Sequence, residues 1–110
     1  MMIASRVLKL KIFDREIAIP VTIFAPKHVG DAWSCSYEID WPEGKETTTA
    51  WGFDSVQALV VALQMIGAEL YSSSYHKSGK LMLEAPGNGY GFPVVSSLRD
   101  MLEGDDAKVF

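Results

Sequence analysis

Hydrophobic and polar residues alternate along the chain from Ile3 to Ala25, with one interruption at Asp14-Arg15. A period of two predicts a strand, because successive side chains of a strand point to opposite faces of a sheet. The two halves therefore predict a β-hairpin with its turn at Asp14-Arg15. That turn pairs Leu10 with Ile19 and gathers the large aliphatic side chains on one face.

Pro20 lies inside the second half of this hairpin. Proline has no amide hydrogen to donate to a neighbouring strand, so the second strand is expected to be exposed along one edge or bulged at this point. An exposed strand edge can pair with another chain. Pro20 is therefore a candidate residue of an interaction surface.

Two further strands are expected after the loop that follows the hairpin. Trp33 to Trp41 alternates with its odd positions inward, which makes Cys35 a core thiol rather than a nucleophile. Turn residues then precede a fourth strand from Glu46 to Phe53. The fourth strand has two registers, in which the inward residues are either Thr48, Ala50 and Gly52 or Thr49, Trp51 and Phe53. The second register is favoured.

A long helix is predicted from Asp54 to Tyr71, a segment whose only charge after Asp54 is Glu69. Asp54 is placed to cap the first free amides, and Gln57 occupies the position of a capping-box partner. The main apolar face of this helix comprises Val56, Leu59, Leu63, Ile66, Gly67 and Leu70. A second apolar strip comprises Ala58, Val61, Met65 and Ala68.

The second strip has a consequence for association. A sheet packed on the main face leaves the strip uncovered, so either the C-terminal segment or another chain is expected to cover it. Val61, Met65 and Ala68 are therefore candidate interaction residues alongside Pro20.

These elements predict an α+β fold in two layers, with a four-stranded antiparallel β-meander packed against one long α-helix. Gly67 is expected to let the helix and the sheet approach closely. Beyond Ser74 we expect an irregular C-terminal segment and a short second helix over residues 96–102. We expect residues 1–103 to form a single α+β domain and residues 104–110 to be a frayed tail.

Composition and charge narrow the classes of function. The 110 residues are 48% hydrophobic and 22% charged, which is typical of a domain that folds without disulfides or a structural metal. A single cysteine and the lack of a secretory signal favour a cytoplasmic location. A net charge of -4 with scattered Lys and Arg residues argues against nucleic acid as a partner. The uncharged part of the helix is shorter than a membrane span, so no membrane partner is expected.

The run of glycines at residues 86–93 is one candidate ligand site. Gly87, Gly89 and Gly91 could free backbone amides that converge on an anion. The spacing does not match a dinucleotide-binding fingerprint, and no Lys-Ser/Thr pair follows. The alternative is a structural turn in which Tyr90 and Phe92 pack against the core.

Glu69 is the other candidate. A carboxylate at the margin of an apolar helix face can have a raised pKa and act as an acid or base, or it can simply form an ion pair at the rim. His28, His76 and one cysteine are too few ligands for a usual zinc site. The sequence therefore predicts no catalytic residue, no metal site and no cofactor.

Several segments together resemble a known family. They are Tyr37-Glu-Ile-Asp40, Asp54-Ser-Val-Gln-Ala-Leu59, Ala62-Leu-Gln-Met-Ile-Gly-Ala-Glu-Leu70 and Gly91-Phe-Pro-Val94. The family consists of short bacterial proteins that share a domain of unknown function, and the resemblance extends from the first hairpin to Val94. It implies a bacterial cytosolic protein, and it assigns neither catalytic residues nor a ligand.

Three functions remain open from the sequence. The first is a protein-interaction module, such as an immunity or antitoxin-like partner whose acidic charge suits a basic toxin. The second is a small-molecule-binding protein or a minor enzyme that uses the glycine run and Glu69. The third is a structural homodimer in which Val61 and Met65 are buried across a two-fold axis.

Overall fold

Six strands form one antiparallel sheet in the computed structural model, which describes residues 1–110. The strands are β1 (Met2–Ile12), β2 (Arg15–Phe24), β3 (Lys27–Val29), β4 (Ala32–Trp41), β5 (Gly44–Gly52) and β6 (Leu81–Met82). Strands β1, β2, β4 and β5 form the expected meander. The count of four is wrong because β3 pairs with β4 beyond the end of β2 and β6 pairs with β1. The two extra strands have only three and two residues, too few for a period to be visible.

The second layer consists of helices and the C-terminal segment. The helices are α1 (Ser55–Ser72), α2 (Ser74–Lys77), a 3₁₀ helix (Ser96–Met101) and α3 (Asp105–Val109). α1 packs across β4 and β5. With 18 residues and a mean hydropathy of 1.2, α1 is long and apolar enough to cross a membrane by those two criteria, which the core helix of a globular domain also meets. The α+β class is confirmed, with a helix layer on one face of an antiparallel sheet.

The first hairpin turns at Phe13-Asp14, so that Leu10 pairs with Ile17 and Leu8 pairs with Ile19. The predicted pairing of Leu10 with Ile19 is therefore wrong by two residues. Because a shift of two preserves the face of every side chain, Leu8, Leu10 and Ile19 are still fully buried. The tight turn forces Phe13 to a φ of 54° and leaves its side chain 91% exposed.

Pro20 lies in a strand that has neighbours on both sides. β2 is flanked by β1 and β4, but β4 pairs only with Val21, Thr22 and Ile23. Pro20 immediately precedes this short ladder, so its missing amide hydrogen costs β4 no bond. The half of β2 from residue 15 to residue 20 has no partner strand on that side.

The register favoured for the fourth strand is wrong. Trp41 pairs with Gly44 across a two-residue turn, and Cys35 pairs with Ala50. Ala50 is therefore buried, whereas Trp51 is 53% exposed and Phe53 is 88% exposed. The length of this turn decides whether the even-numbered or the odd-numbered residues of β5 face α1.

The buried face of α1 lies between the two predicted apolar strips. It comprises Ala58, Ala62, Ile66, Gly67, Leu70 and Tyr71. Val56, which was expected on the main face, is 67% exposed, whereas Ala58, expected on the second strip, is fully buried. Small residues decide this orientation, because a side chain at Gly52 of β5 would overlap the backbone nitrogen of Ala58. The helix approaches β5 through its alanines and not through its larger aliphatic residues.

The C-terminal segment crosses α1 at Gly67. A Cβ atom at this position would overlap the carbonyl oxygen of Pro93, so Gly67 is required for contact with this segment and not, as expected, with the sheet. Tyr90, Phe92 and Val94 are buried by the crossing. The irregular segment therefore completes the core beside the helix.

Residues 104–110 differ from the frayed tail expected from the sequence. Residues 105–109 form α3, and the side chain of Asp106 is only 2% exposed. The helix is too short to be stable on its own. It is held because the carboxylate of Asp106 reaches the glycine run, a contact that no local pattern indicates.

Candidate functional sites

The glycine run binds a carboxylate of its own chain. The amides of Tyr90 and Gly91 donate to Oδ2 and Oδ1 of Asp106 at 2.9 and 2.8 Å, and the Tyr71 hydroxyl donates to Oδ2 at 2.7 Å. Gly89 has a φ of 82°, and a Cβ there would lie 2.5 Å from the Asp106 side chain. Consecutive amides thus converge on an anion, as glycine-rich loops allow, and the anion is supplied by α3.

A histidine lies beside this carboxylate site. Nε2 of His76 is 3.2 Å from Oε1 of Glu103, and Nδ1 contacts the hydroxyl of Tyr90. A carboxylate can only accept, so a proton on Nε2 faces Glu103 and leaves Nδ1 as an acceptor for the Tyr90 hydroxyl, which also lies 3.4 Å from the carbonyl oxygen of Leu81. The rings of Tyr71 and Tyr90 pack against the imidazole with centroid separations of 4.9 and 5.5 Å. Both nitrogens of His76 therefore have partners.

Burial controls the protonation of the two tyrosines. It raises the pKa of the Tyr90 phenol well above its usual range, and the negative charges of Glu103 and Asp106 raise this pKa further. Burial also raises the pKa of Tyr71, and so does the hydrogen bond that Tyr71 donates to Asp106. Both hydroxyls remain protonated at neutral pH and act as hydrogen-bond donors rather than as bases.

A cavity of about 370 Å³ opens beside this network. We call it the His76 cavity, and its lining includes His76, Lys77, Leu81, Gly87, Gly89 and Glu103. Two of the three glycines predicted from the sequence therefore line one cavity with a lysine and a histidine. Gly91 lies beyond it, where its carbonyl oxygen accepts a hydrogen bond of 2.7 Å from Arg6.

Glu69 lines a different cavity, of about 270 Å³, together with Trp41, Glu43, Glu46 and Tyr75. Burial raises the pKa of Glu69, whereas the hydrogen bond of 2.7 Å that it accepts from the Tyr37 hydroxyl lowers this pKa. The structure thus does not bring Glu69 and the glycine run together. A single site that uses both, as one alternative from the sequence required, is absent.

An apolar groove lies at the C-terminal end of β5. Its volume is about 330 Å³, and it is lined by Ala32, Trp51, Gly52, Phe53, Gln57 and Val61. We call it the Phe53 groove. No strand pairs with the outer edge of β5, so the groove adjoins an open sheet edge. It contains one of the four candidate interaction residues, Val61.

Met65 and Ala68, the other helical candidates, are partly buried. Gly67, which the C-terminal segment covers, lies roughly 120° around the helix from Val61. Pro20 is partly buried on β2, which is separated from β5 by β4. Val61, Met65 and Ala68 share one face of α1, and Pro20 lies apart from them.

The remaining candidates have structural environments. Cys35 is fully buried, its thiol contacts the carbonyl oxygen of Phe24 at 3.4 Å, and burial raises its pKa. The ring of His28 stacks on Trp33 at 4.9 Å. The structure brings together no group of three His, Cys, Asp or Glu side chains that could hold a metal ion.

Comparison with known proteins identifies the family of the chain. The model of a domain of unknown function, DUF6968, matches residues 4–94. The chain belongs to the DUF6968 family. No curated protein and no solved structure matches it. The DUF6968 match confirms the resemblance found in the sequence, and it includes the Phe53 groove and the glycine run. Glu103 and Asp106 follow its last residue.

Three features of this DUF6968 chain were missed by sequence reasoning. The first is Asp106, which follows Gly91, the glycine whose amide it binds, by 15 residues and has no motif around it. The second is the contact of Glu103 with His76. The third is the exposure of Trp51 and Phe53, which the alternative strand register would have indicated.

Proposed function

We propose that the chain is a protein-interaction module that binds an extended, basic segment of a partner protein at the Phe53 groove. The observation that carries the proposal is the 88% exposure of Phe53 next to Trp51, which is 53% exposed. Large aromatic side chains are the commonest anchors of binding energy at protein interfaces. Two of them at the end of an open strand edge form an anchor site.

The exposure of Phe53 is not required by the fold. Asp54 accepts a hydrogen bond of 2.7 Å from the Gln57 amide, and the side chain of Gln57 accepts one of 2.6 Å from the Phe53 amide. The second bond goes to the residue before the N-cap, one position earlier than in a capping box, and it fixes the Phe53 backbone to the first turn of α1. A residue at this position often packs on the fourth residue of the helix, but that residue is Ala58, which is already fully buried. Phe53 is thus held in place and left in solvent.

The open edge of β5 determines the shape of the partner. A free edge presents unpaired amides and carbonyls, to which an extended segment can add as a further strand. Trp51 and Phe53 expose together roughly 300 Å². That area is well below the roughly 800 Å² per partner of a standard interface between globular proteins. Strand pairing with a peptide supplies the remaining contact.

Charge determines the composition of the partner. Asp31 and Asp54 directly adjoin residues of the groove, and Glu43 and Glu46 lie at the other end of β5. Lys45 is the only basic residue between Glu43 and Asp54. A segment with Lys or Arg beside an apolar side chain is therefore complementary. A basic toxin, the partner class expected from the sequence, has this chemistry.

Selection of random peptides displayed on phage tests the proposal. We expect the selected peptides to combine apolar and basic residues, and Phe53→Ser to weaken their binding roughly tenfold or more. Phe13→Ser is the matched control, because Phe13 is 91% exposed at the far hairpin turn. It should leave binding unchanged.

Two outcomes would contradict this proposal. One is a set of peptides that bind Phe53→Ser as tightly as the wild type. The other is a wild-type protein whose mass in light scattering is that of a dimer and is halved by Phe53→Ser. That result would assign the groove to a second copy of the chain, as in the homodimer hypothesis.

A further inference from the structure

We propose that the His76 cavity binds the phosphate group of a small phosphate monoester. The inference is independent of the Phe53 groove. It concerns backbone amides and cationic side chains that the fold brings together around this cavity. The cavity of about 370 Å³ exceeds the size of inorganic phosphate and leaves room for an organic substituent.

The first observation concerns the backbone amides of the glycine run. Tyr90 and Gly91 donate to Asp106, and Asn88 donates to the carbonyl oxygen of Ala85 at 3.4 Å. The amides of Gly87 and Gly89 have no acceptor within the protein. Gly89 is buried, and a buried amide without a partner is rare because it loses its hydrogen bond to water. Both glycines line the His76 cavity, so an anionic oxygen there can accept from the buried Gly89 and from the solvent-exposed Gly87.

One lysine side chain lies at the same cavity. Lys77 lines the cavity directly. β6 joins the edge of β1 beside Lys9, and the amide of Lys11 donates to the carbonyl oxygen of Lys80 at 2.9 Å. Lys9 and Lys11 alternate with the buried Leu8 and Leu10 and therefore point to the outer face of the sheet, so Lys77 is the one lysine that lines the cavity. Its charge attracts an anion once the Glu103 carboxylate has turned away.

Glu103 shows where the anion would bind. Its carboxylate lies 3.2 Å from Nε2 of His76, and the Glu103 side chain is 49% exposed. A half-exposed side chain can rotate into water at little cost, which frees the Nε2 proton of His76 for a ligand. A phosphate monoester has three terminal oxygens and nearly two negative charges at pH 7, so it can accept from His76, Lys77 and the glycine amides together. Leu81 and Pro86 supply an apolar wall for its organic part.

The test is an NMR titration of ¹⁵N-labelled full chain with phenyl phosphate at constant ionic strength. We expect saturable shifts of the Gly87 and Gly89 amides. Lys77→Ala should weaken binding roughly fivefold, since an exposed charge contributes about that much. Glu103→Gln should tighten binding, because the competing charge is removed. Lys27→Ala, which changes an exposed lysine of β3, is the matched control and should have no effect.

Parallel titrations with inorganic phosphate and with benzoate distinguish the ligand classes. Weaker binding of both than of phenyl phosphate supports a monoester. The proposal is overturned if the two glycine amides do not shift, if Lys77→Ala and Lys27→Ala weaken binding equally, or if either of these simpler anions binds as tightly as phenyl phosphate.

Discussion

Substitution of Asp106 by alanine is expected to be the most destabilising single change in the C-terminal segment. The side chain is 2% exposed and accepts three hydrogen bonds, from the Tyr71 hydroxyl and from the amides of Tyr90 and Gly91. Alanine removes the acceptor and leaves three donors facing a space that was filled by a carboxylate. Each unsatisfied buried donor costs about 1 to 3 kcal/mol.

The expected loss for Asp106→Ala is about 4 kcal/mol, toward the lower end of the roughly 3 to 9 kcal/mol summed over three orphaned donors. The upper end is not reached because water can replace the carboxylate once α3 detaches. A loss of this size is a large share of the roughly 5 to 15 kcal/mol that stabilises a typical domain. Asp106→Asn should cost about half as much, since it retains one acceptor but places an amide group opposite the other donors.

Urea unfolding, followed by circular dichroism and by tryptophan fluorescence, measures the free energies of these variants. Asp105→Ala is the matched control, because Asp105 is adjacent in α3 and is exposed. Its only ion pair, with Lys108 at 3.9 Å, is on the surface, so its loss should be within about 0.5 kcal/mol. If Asp106→Ala loses no more stability than Asp105→Ala, the role assigned to the carboxylate is wrong.

Three further substitutions test other parts of the structure. Glu69→Gln should gain stability relative to the wild type between pH 4 and pH 7, because burial raises the folded-state pKa of Glu69 above its unfolded value of about 4.5. The stability linked to this raised pKa is present below the unfolded-state pKa and is lost as pH rises through the folded-state pKa. Glutamine does not titrate and can still accept from Tyr37. If the difference in melting temperature between variant and wild type is the same at pH 4 and at pH 7, this reasoning is wrong. Gly67→Ala should destabilise the protein because the added Cβ overlaps the backbone of Pro93, although alanine favours a helix by roughly 1 kcal/mol over glycine. A raised melting temperature would contradict the close contact between α1 and the C-terminal segment. Phe13→Gly should stabilise the protein by about 1 kcal/mol in urea unfolding, because glycine adopts a φ of 54° without strain. A lower urea midpoint for the variant would show that the exposed phenylalanine makes a stabilising contact.

The elements that the sequence predicted correctly are those whose patterns are long. Alternation over more than ten residues identified β1 and β2, and Asp54 marked the start of α1, where it accepts the predicted capping bond from a first-turn amide. The side chain of Gln57 accepts from Phe53 rather than from Asp54. Side-chain alternation depends only on backbone geometry, so the inward face of the first hairpin survived an error of two residues in its register. The buried positions of Cys35, Tyr90 and Phe92 followed from the same local rules.

Tertiary structure decided which alternate residues of a strand face inward and which residues distant in sequence come into contact. A two-residue turn after Trp41 set the register of β5 and so exposed Phe53, although both registers satisfy the local pattern. Small residues set the orientation of α1, because helix and sheet approach wherever side chains are smallest and not wherever hydrophobicity is greatest. Asp106 reaches the glycine run only after the chain has folded back on itself, and its acceptor role depends on donors that are distant in sequence. The sequence by itself determined the long strands and the long helix, whereas contacts in three dimensions determined the short elements β3, β6 and α3 and which side chains face solvent or the core.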